Sequence, residues 1–186
     1  MPLNVPERVK LRIEDFMLLE AAGAFAAIHK TELIDGELFG VNSQHRPHSR
    51  AKFRLARALE DALSLIGSPL GVLIEATVEM PPHDLPEPDI VVTSAPTGKG
   101  FVPRDSVALL VEVADTTLGF DMRQKALLYA RHGIAEYWVV DLNAEKISRM
   151  WQPSAAGFAE ADETSFGVAL AAATILGLTV VTDRLT

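Results

Sequence analysis

The chain reads as an α/β domain: a mixed central sheet flanked by helices, with a helix and a hairpin ahead of the core. Three observations predict it. Residues 107–113 (Val-Ala-Leu-Leu-Val-Glu-Val) are nearly continuous in apolar side chains, the pattern of a strand covered on both faces. Glu136-Tyr137-Trp138-Val139-Val140-Asp141 reads as a further strand after an intervening helical pattern. The element order is helix, hairpin, helix, three strands, helix, two strands. With 186 residues, 48% of them apolar, the chain can bury one core, so a single domain is expected over 1–186, its core at about 31–151.

Residues 13–27 read as the first helix. Thr31-Glu32-Leu33-Ile34-Asp35-Gly36-Glu37-Leu38-Phe39 comes next, and Asp-Gly between alternating apolar positions predicts a tight hairpin, since both turn residues must tolerate positive φ. The spacing predicts a basic helix over 47–66. Leu55, Leu59, Ala62 and Ile66 form its apolar stripe, and Arg50, Arg54 and Arg57 project from roughly the opposite face.

Gly67-Ser68-Pro69 stops that helix, and residues 71–79 read as a strand. The proline-rich stretch 81–88 is an irregular connection that ends where Asp89 starts the next strand. Pro96, Gly98, Gly100 and Pro103 mark a loop over 93–105. Asp121 suits an N-cap, with Gln124 at the third helical position, and Gly133 suits the residue after the helix end. Lys125 and Tyr129, four apart, share a face of that helix. Residues 146–151 alternate as a return strand. No internal repeat, glycine-rich phosphate loop or coiled-coil heptad is present.

The absence of cysteine excludes a disulfide framework, a thiolate zinc site and a cysteine nucleophile, and is compatible with a reducing cytosol. Residues 1–7 carry no basic region leading into an apolar stretch, so no signal peptide is expected. Residues 167–181 fall short of the roughly 20 apolar residues of a membrane helix. A soluble, cytoplasmic protein is the expectation. The net charge of −8 argues against a protein that coats nucleic acid. Between Glu37 and Glu60, however, no acidic residue occurs, while His45, Arg46, His48, Arg50, Lys52, Arg54 and Arg57 all do. That segment is either a local phosphate-facing patch or a solvated basic face.

Asp89 and Glu112 stand out because each interrupts a run that otherwise favours burial. Two such carboxylates are costly unless compensated, and a divalent cation is a common compensation, which makes a metal-dependent hydrolase the leading reading. The structural alternatives are a strand-entry role for Asp89, a buried Glu112–Lys125 ion pair, and Asp121 as a simple cap or surface partner of Lys125. His45 and His48 read as surface residues at a helix start, and Tyr129 and Trp138 as core.

Together, Pro88-Asp89, Glu112-Val113-Ala114, Asp121 with Lys125 and Tyr129, Gly133-Ile134 and the string 136–141 resemble the Uma-two family of restriction-endonuclease-like proteins, within the PD-(D/E)XK nuclease superfamily. The resemblance runs from about 32 to 141 and implies a restriction-endonuclease-like core. It implies that Asp89 and Glu112 hold Mg2+ or Mn2+ and that a lysine positions or polarises the attacking water. The superfamily pattern places that lysine two residues after the acidic residue, where Ala114 stands; Lys125 matches the relatives in which it has moved to the neighbouring helix. Glu37 resembles the family's upstream acidic residue and is expected, like Asp121, to be accessory. DNA is the implied substrate, with Arg50, Arg54 and Arg57 as its contacts. No membrane is involved, and a homodimer is expected because cutting both strands of a duplex needs two active sites. The competing functions are a nuclease-fold binding module without turnover and a metal-dependent hydrolase of a small phosphorylated substrate.

Overall fold

The computed structural model describes residues 8–28, 30–40, 44–183 and 185. Residues 1–7, expected to carry no signal peptide, lie outside the described residues. The chain divides into two compact units, Met1–Ser43 with Met80–Pro86, and Gln44–Glu79 with Glu87–Thr186.

In the smaller unit, helix α1 (Ile13–Ala21) is shorter than its expected span. The reason is legible at Gly23, which adopts φ +76° and closes the helix: its N–H donates to the Glu20 carbonyl and the Ala24 N–H to the Leu19 carbonyl, the paired bonds of a Schellman ending. Strands β1 (Thr31–Ile34) and β2 (Glu37–Gly40) pair antiparallel around Asp35 (φ 51°) and Gly36 (φ 73°), the two-residue turn expected from Asp-Gly.

The larger unit opens with α2 (Arg46–Leu65), which carries Pro47 in its first turn, where a missing N–H costs nothing. The strand expected over 71–79 is instead two, β3 (Gly71–Ile74) and β4 (Val78–Glu79), because Glu75 takes φ +52° and turns the chain between two ladders. β5 (Ile90–Thr93) comes next. Within the expected loop, β6 (Val102–Pro103) pairs parallel with β4 and leads into a 3-10 turn over Arg104–Ser106.

β7 (Val107–Ala114) is buried from Leu109 to Ala114, as a strand covered on both faces should be. A helical crossover then begins, made of α3 (Leu118–Phe120), a π-turn (Asp121–Lys125) and α4 (Ala126–Arg131). Gly133, at φ +72°, ends it as expected. β8 (Glu136–Asp141), β9 (Lys146–Ser154), β10 (Gly157–Ser165), β11 (Leu170–Ala171) and β12 (Thr179–Val180) complete the unit.

The main sheet has the order β10-β9-β8-β7-β5-β3. Only β7 and β8 run parallel, joined by the helical crossover such a pair requires; its other pairs are antiparallel. The mixed α/β class is therefore the observed one. β10 lies beyond the strands the sequence predicts, because it is an edge strand with no fully buried residue, and Glu160, Asp162 and Glu163 give it a charged edge rather than a clean alternation. Ala51, Leu55, Leu59 and Leu63 of α2 pack with Ile90, Val92, Leu109, Val111, Val113, Trp138 and Val140 in the core. No helix among the described residues is long and apolar enough to cross a membrane.

Glu136 ties the C-terminal strands to this core. Fully buried on β8, it accepts the Trp138 indole N–H (2.6 Å), the Ala173 N–H (2.9 Å), and the N–H and hydroxyl of Thr174 (both 2.8 Å). Removing the acceptor strands the buried Trp138 indole N–H and releases the Ala173–Thr174 segment from the sheet. Glu136→Ala is expected to lose about 2–3 kcal/mol of unfolding free energy in urea titration; a loss below about 1 kcal/mol would show that the segment docks without it.

Candidate active site

The inward stripe of α2 begins polar. Proceeding toward its N-terminus from Leu59 and Leu55, the helical spacing of three or four residues reaches Lys52, His48 and then Gln44, just before the helix. All three converge on Asp89, at the bend leading into β5. Gln44 Nε2 donates to Asp89 Oδ1 at 3.2 Å, Lys52 Nζ lies 3.3 Å from the same oxygen, and His48 Nε2 lies 3.1 Å from Oδ2. The fourth donor is main chain: the Val113 N–H of β7 reaches Oδ2 at 2.8 Å. The Asp89 carbonyl in turn accepts the Glu75 N–H at 3.1 Å, so Asp89 is clasped by β3, β7 and α2.

Burial pushes the Asp89 carboxyl up, but the hydrogen bond and charge of the His48 ring, the Val113 amide and the Lys52 ammonium outweigh it, and the group titrates below the ordinary aspartate value. His48 is therefore not a surface residue, contrary to the expectation. It is buried, and its Nδ1 is the one buried side-chain nitrogen or oxygen among the described residues without a hydrogen-bond partner. A signal for it exists in the sequence: extended backward, the Leu55–Leu59 stripe falls on Lys52 and His48. Polar residues on an inward stripe point to a site.

Glu112 stands beside Val113 in the chain. Its Oε1 accepts Lys125 Nζ at 2.8 Å and the Tyr129 hydroxyl at 2.9 Å, with Glu112, Lys125 and Tyr129 all buried. The expected sharing of a face by Lys125 and Tyr129 is observed, and Tyr129 belongs to this cluster as well as to the core. Asp121 does not cap a helix. It lies one turn inside the helical segment, at the start of the π-turn, where its Oδ2 accepts the Thr117 hydroxyl at 2.6 Å. Ala114 is buried opposite Asp141 of β8.

The structure thus brings Asp89, Val113 and Glu112 to one end of the β5–β7 pair and sets Lys125 on Glu112. The other expected residues are placed differently. Glu37 lies on β2 in the smaller unit, exposed, with its carboxylate 3.6 Å from Arg8. Arg50 and Arg57 are exposed on α2, Arg57 lying 3.8 Å from Asp61; Arg54 is half-buried. Two carboxylates are hard oxygen donors of the kind that suits Mg2+ or Mn2+, ions that commonly take one or two protein carboxylates and complete their shell with water and substrate phosphate. No larger cluster of three or more His, Asp or Glu with a metal centre's arrangement occurs among the described residues.

Because its pKa is lower folded than unfolded, Asp89 contributes stability above its unfolded value of about 3.9 and withdraws it as pH falls through the lower folded value. Urea titrations from about pH 6 down to about pH 3 are expected to show the parent losing stability more steeply below about pH 4 than Asp89→Asn does. Parallel curves would remove Asp89 from the acid response.

Among solved structures, the chain is similar to a protein from Anabaena variabilis ATCC 29413 described as "a putative nuclease belonging to DUF820", with a TM-score of 0.64 at 14% identity, covering 83% of this chain and 88% of that one. At that identity the likeness speaks for the fold. No curated protein matches the sequence. A family model described as "Putative restriction endonuclease" matches residues 13–181, a span holding both carboxylates, Lys125 and the inward face of α2. The chain belongs to the Uma2 family.

Proposed function

We propose that the protein is a divalent-metal-dependent endonuclease that hydrolyses phosphodiester bonds of DNA, with Asp89 and Glu112 as metal ligands and Lys125 acting on the attacking water. The observation that carries this reading is the bond from the Val113 amide to Asp89 Oδ2, which ties one carboxylate to the residue next to the other, while Lys125 supplies the ammonium that Ala114 cannot. Mg2+ or Mn2+, when bound, supplies charge neutralisation at the phosphoryl oxygens and lowers the pKa of water. The chain's own groups do the positioning. Val113 fixes the Asp89 carboxylate, Tyr129 and Lys125 fix Glu112, and the Lys125 ammonium, held by a neighbouring helix, stands ready to orient water and phosphate.

A second reading, a nuclease-fold binding module without turnover, is favoured by the donors already on Asp89, two to each oxygen. One experiment separates the readings from each other and from hydrolysis of a small phosphorylated compound: titration with Mg2+ or Mn2+, then cleavage assays on DNA, RNA and small phosphate esters. Metal binding without cleavage of DNA overturns the nuclease proposal. In a manganese-soaked crystal the Asp89 and Glu112 carboxylates are expected within about 6 Å of each other, sharing one ion at about 2.0–2.6 Å.

Lys125→Met is expected to lower kcat on DNA by on the order of a hundredfold with little change in Mn2+ affinity. Unchanged kcat would leave Lys125 as a structural partner of Glu112. For DNA contact, Arg50, Arg54 and Arg57 support only weak binding, with a log–log salt slope of about −3 at most, at about −0.9 per neutralised phosphate. Changing all three to Gln is expected to flatten that slope without altering metal binding. A slope equal to the parent's would make the basic stretch a solvated helix face. Cutting of both duplex strands further implies a homodimer, which sedimentation tests directly.

A further inference from the structure

Lys52 is a buried ammonium with three partners. Two of them face inward, Gln44 Oε1 at 2.5 Å and Asp89 Oδ1 at 3.3 Å; the third is the Glu75 carboxylate. The three differ in what holds them. Asp89 is secured independently by His48, Gln44 and the Val113 amide. Glu75 is 42% exposed at its side chain, so water solvates its carboxylate readily, and its backbone takes φ +52°, a left-handed conformation that disfavours residues with a Cβ. A partly exposed carboxylate on a residue of left-handed backbone thus lies on a buried lysine. The lysine is the group that needs this contact, because a buried ammonium requires an anion beside it.

We propose that Lys52 is an anion subsite for a phosphodiester group, and that Glu75 is its internal stand-in, displaced from the ammonium when the phosphate binds. The assignment of a phosphodiester rests on the nuclease reading and is supported by charge. A diester is a monoanion, as the Glu75 carboxylate is, so the exchange leaves the charge around Lys52 and Asp89 unchanged. A dianionic monoester adds a further negative charge beside Asp89. Lysine suits this role as a compact point charge with three donors: Gln44 and Asp89 keep theirs, and the one released by Glu75 turns to an incoming oxygen.

The test uses the full chain and the dinucleotide TpT, its 31P resonance followed during titration in magnesium buffer, with thymidine 5′-phosphate as the comparison. Glu75→Gln, at the exposed end of the pair, is expected to bind TpT about two- to fivefold more tightly than the parent. Lys52→Met is expected to bind it at least about tenfold more weakly. The parent is expected to prefer TpT over the monoester. Unchanged or weaker binding by Glu75→Gln overturns the stand-in, and this arm decides alone if circular dichroism shows that Lys52→Met has not folded. Parent-like binding by a folded Lys52→Met overturns the subsite, and a preference for the monoester overturns the diester assignment. A parent that binds TpT as expected yet cleaves no nucleic acid sinks the nuclease reading and leaves the subsite standing; cleavage with TpT binding indifferent to both substitutions does the reverse.

Discussion

The bond from the Val113 amide to the Asp89 carboxylate organises this protein's site. A buried carboxylate needs several donors, more than a single strand or helix end provides. Asp89 obtains them from β7, from the first two turns of α2 and from Gln44, two residues before that helix, while its own carbonyl takes up the amide of Glu75 after β3. One residue thereby fixes where three elements meet. The core beneath, formed by the inward residues of α2 and alternate residues of β5 and β7, is the apolar continuation of the same contact.

Glu112 is managed by a different device. The crossover between β7 and β8 could have been plain α-helix, yet it passes through a five-residue π-turn that ends at Lys125. Such a turn rotates the later residues of the helix relative to the earlier ones, and short π segments recur at functional sites for that reason. Here Lys125 and Tyr129 both reach one oxygen of Glu112. Ala114 meanwhile packs in the sheet, where a lysine would have had to be buried on a strand. With the ammonium on the helix, position 114 of the strand stays apolar while a positive charge lies beside the Glu112 carboxylate.

Charge is balanced locally rather than globally. The chain carries −8 overall, yet its two central carboxylates each have a lysine beside them, Lys52, shared with Glu75, for Asp89 and Lys125 for Glu112. The basic residues of α2 are sorted accordingly. His48 and Lys52 turn inward, while Arg50 and Arg57 remain on the outer surface, where an Arg57–Asp61 contact across one helical turn contributes little.

The elements with strong local codes were determined by the sequence itself. The Asp35-Gly36 turn, the long amphipathic helix, the continuously apolar β7 and the Gly133 helix end depend on backbone conformation and periodicity, which neighbouring residues specify. Asp89 and Glu112 were legible because a charge is conspicuous in an apolar run, and Lys125 through the resemblance. Tertiary structure alone decided the rest. The break at Glu75, the charged edge strand β10 and the interior position of Asp121 arise from which ladder or turn each segment joins, and no local pattern encodes that choice. His48 and Lys52 are the clearest case. A basic residue on a helix is solvated unless another element brings a buried anion to it, and the partner that draws them inward lies about 40 residues away in the chain, at the entry to a strand whose position depends on the finished sheet.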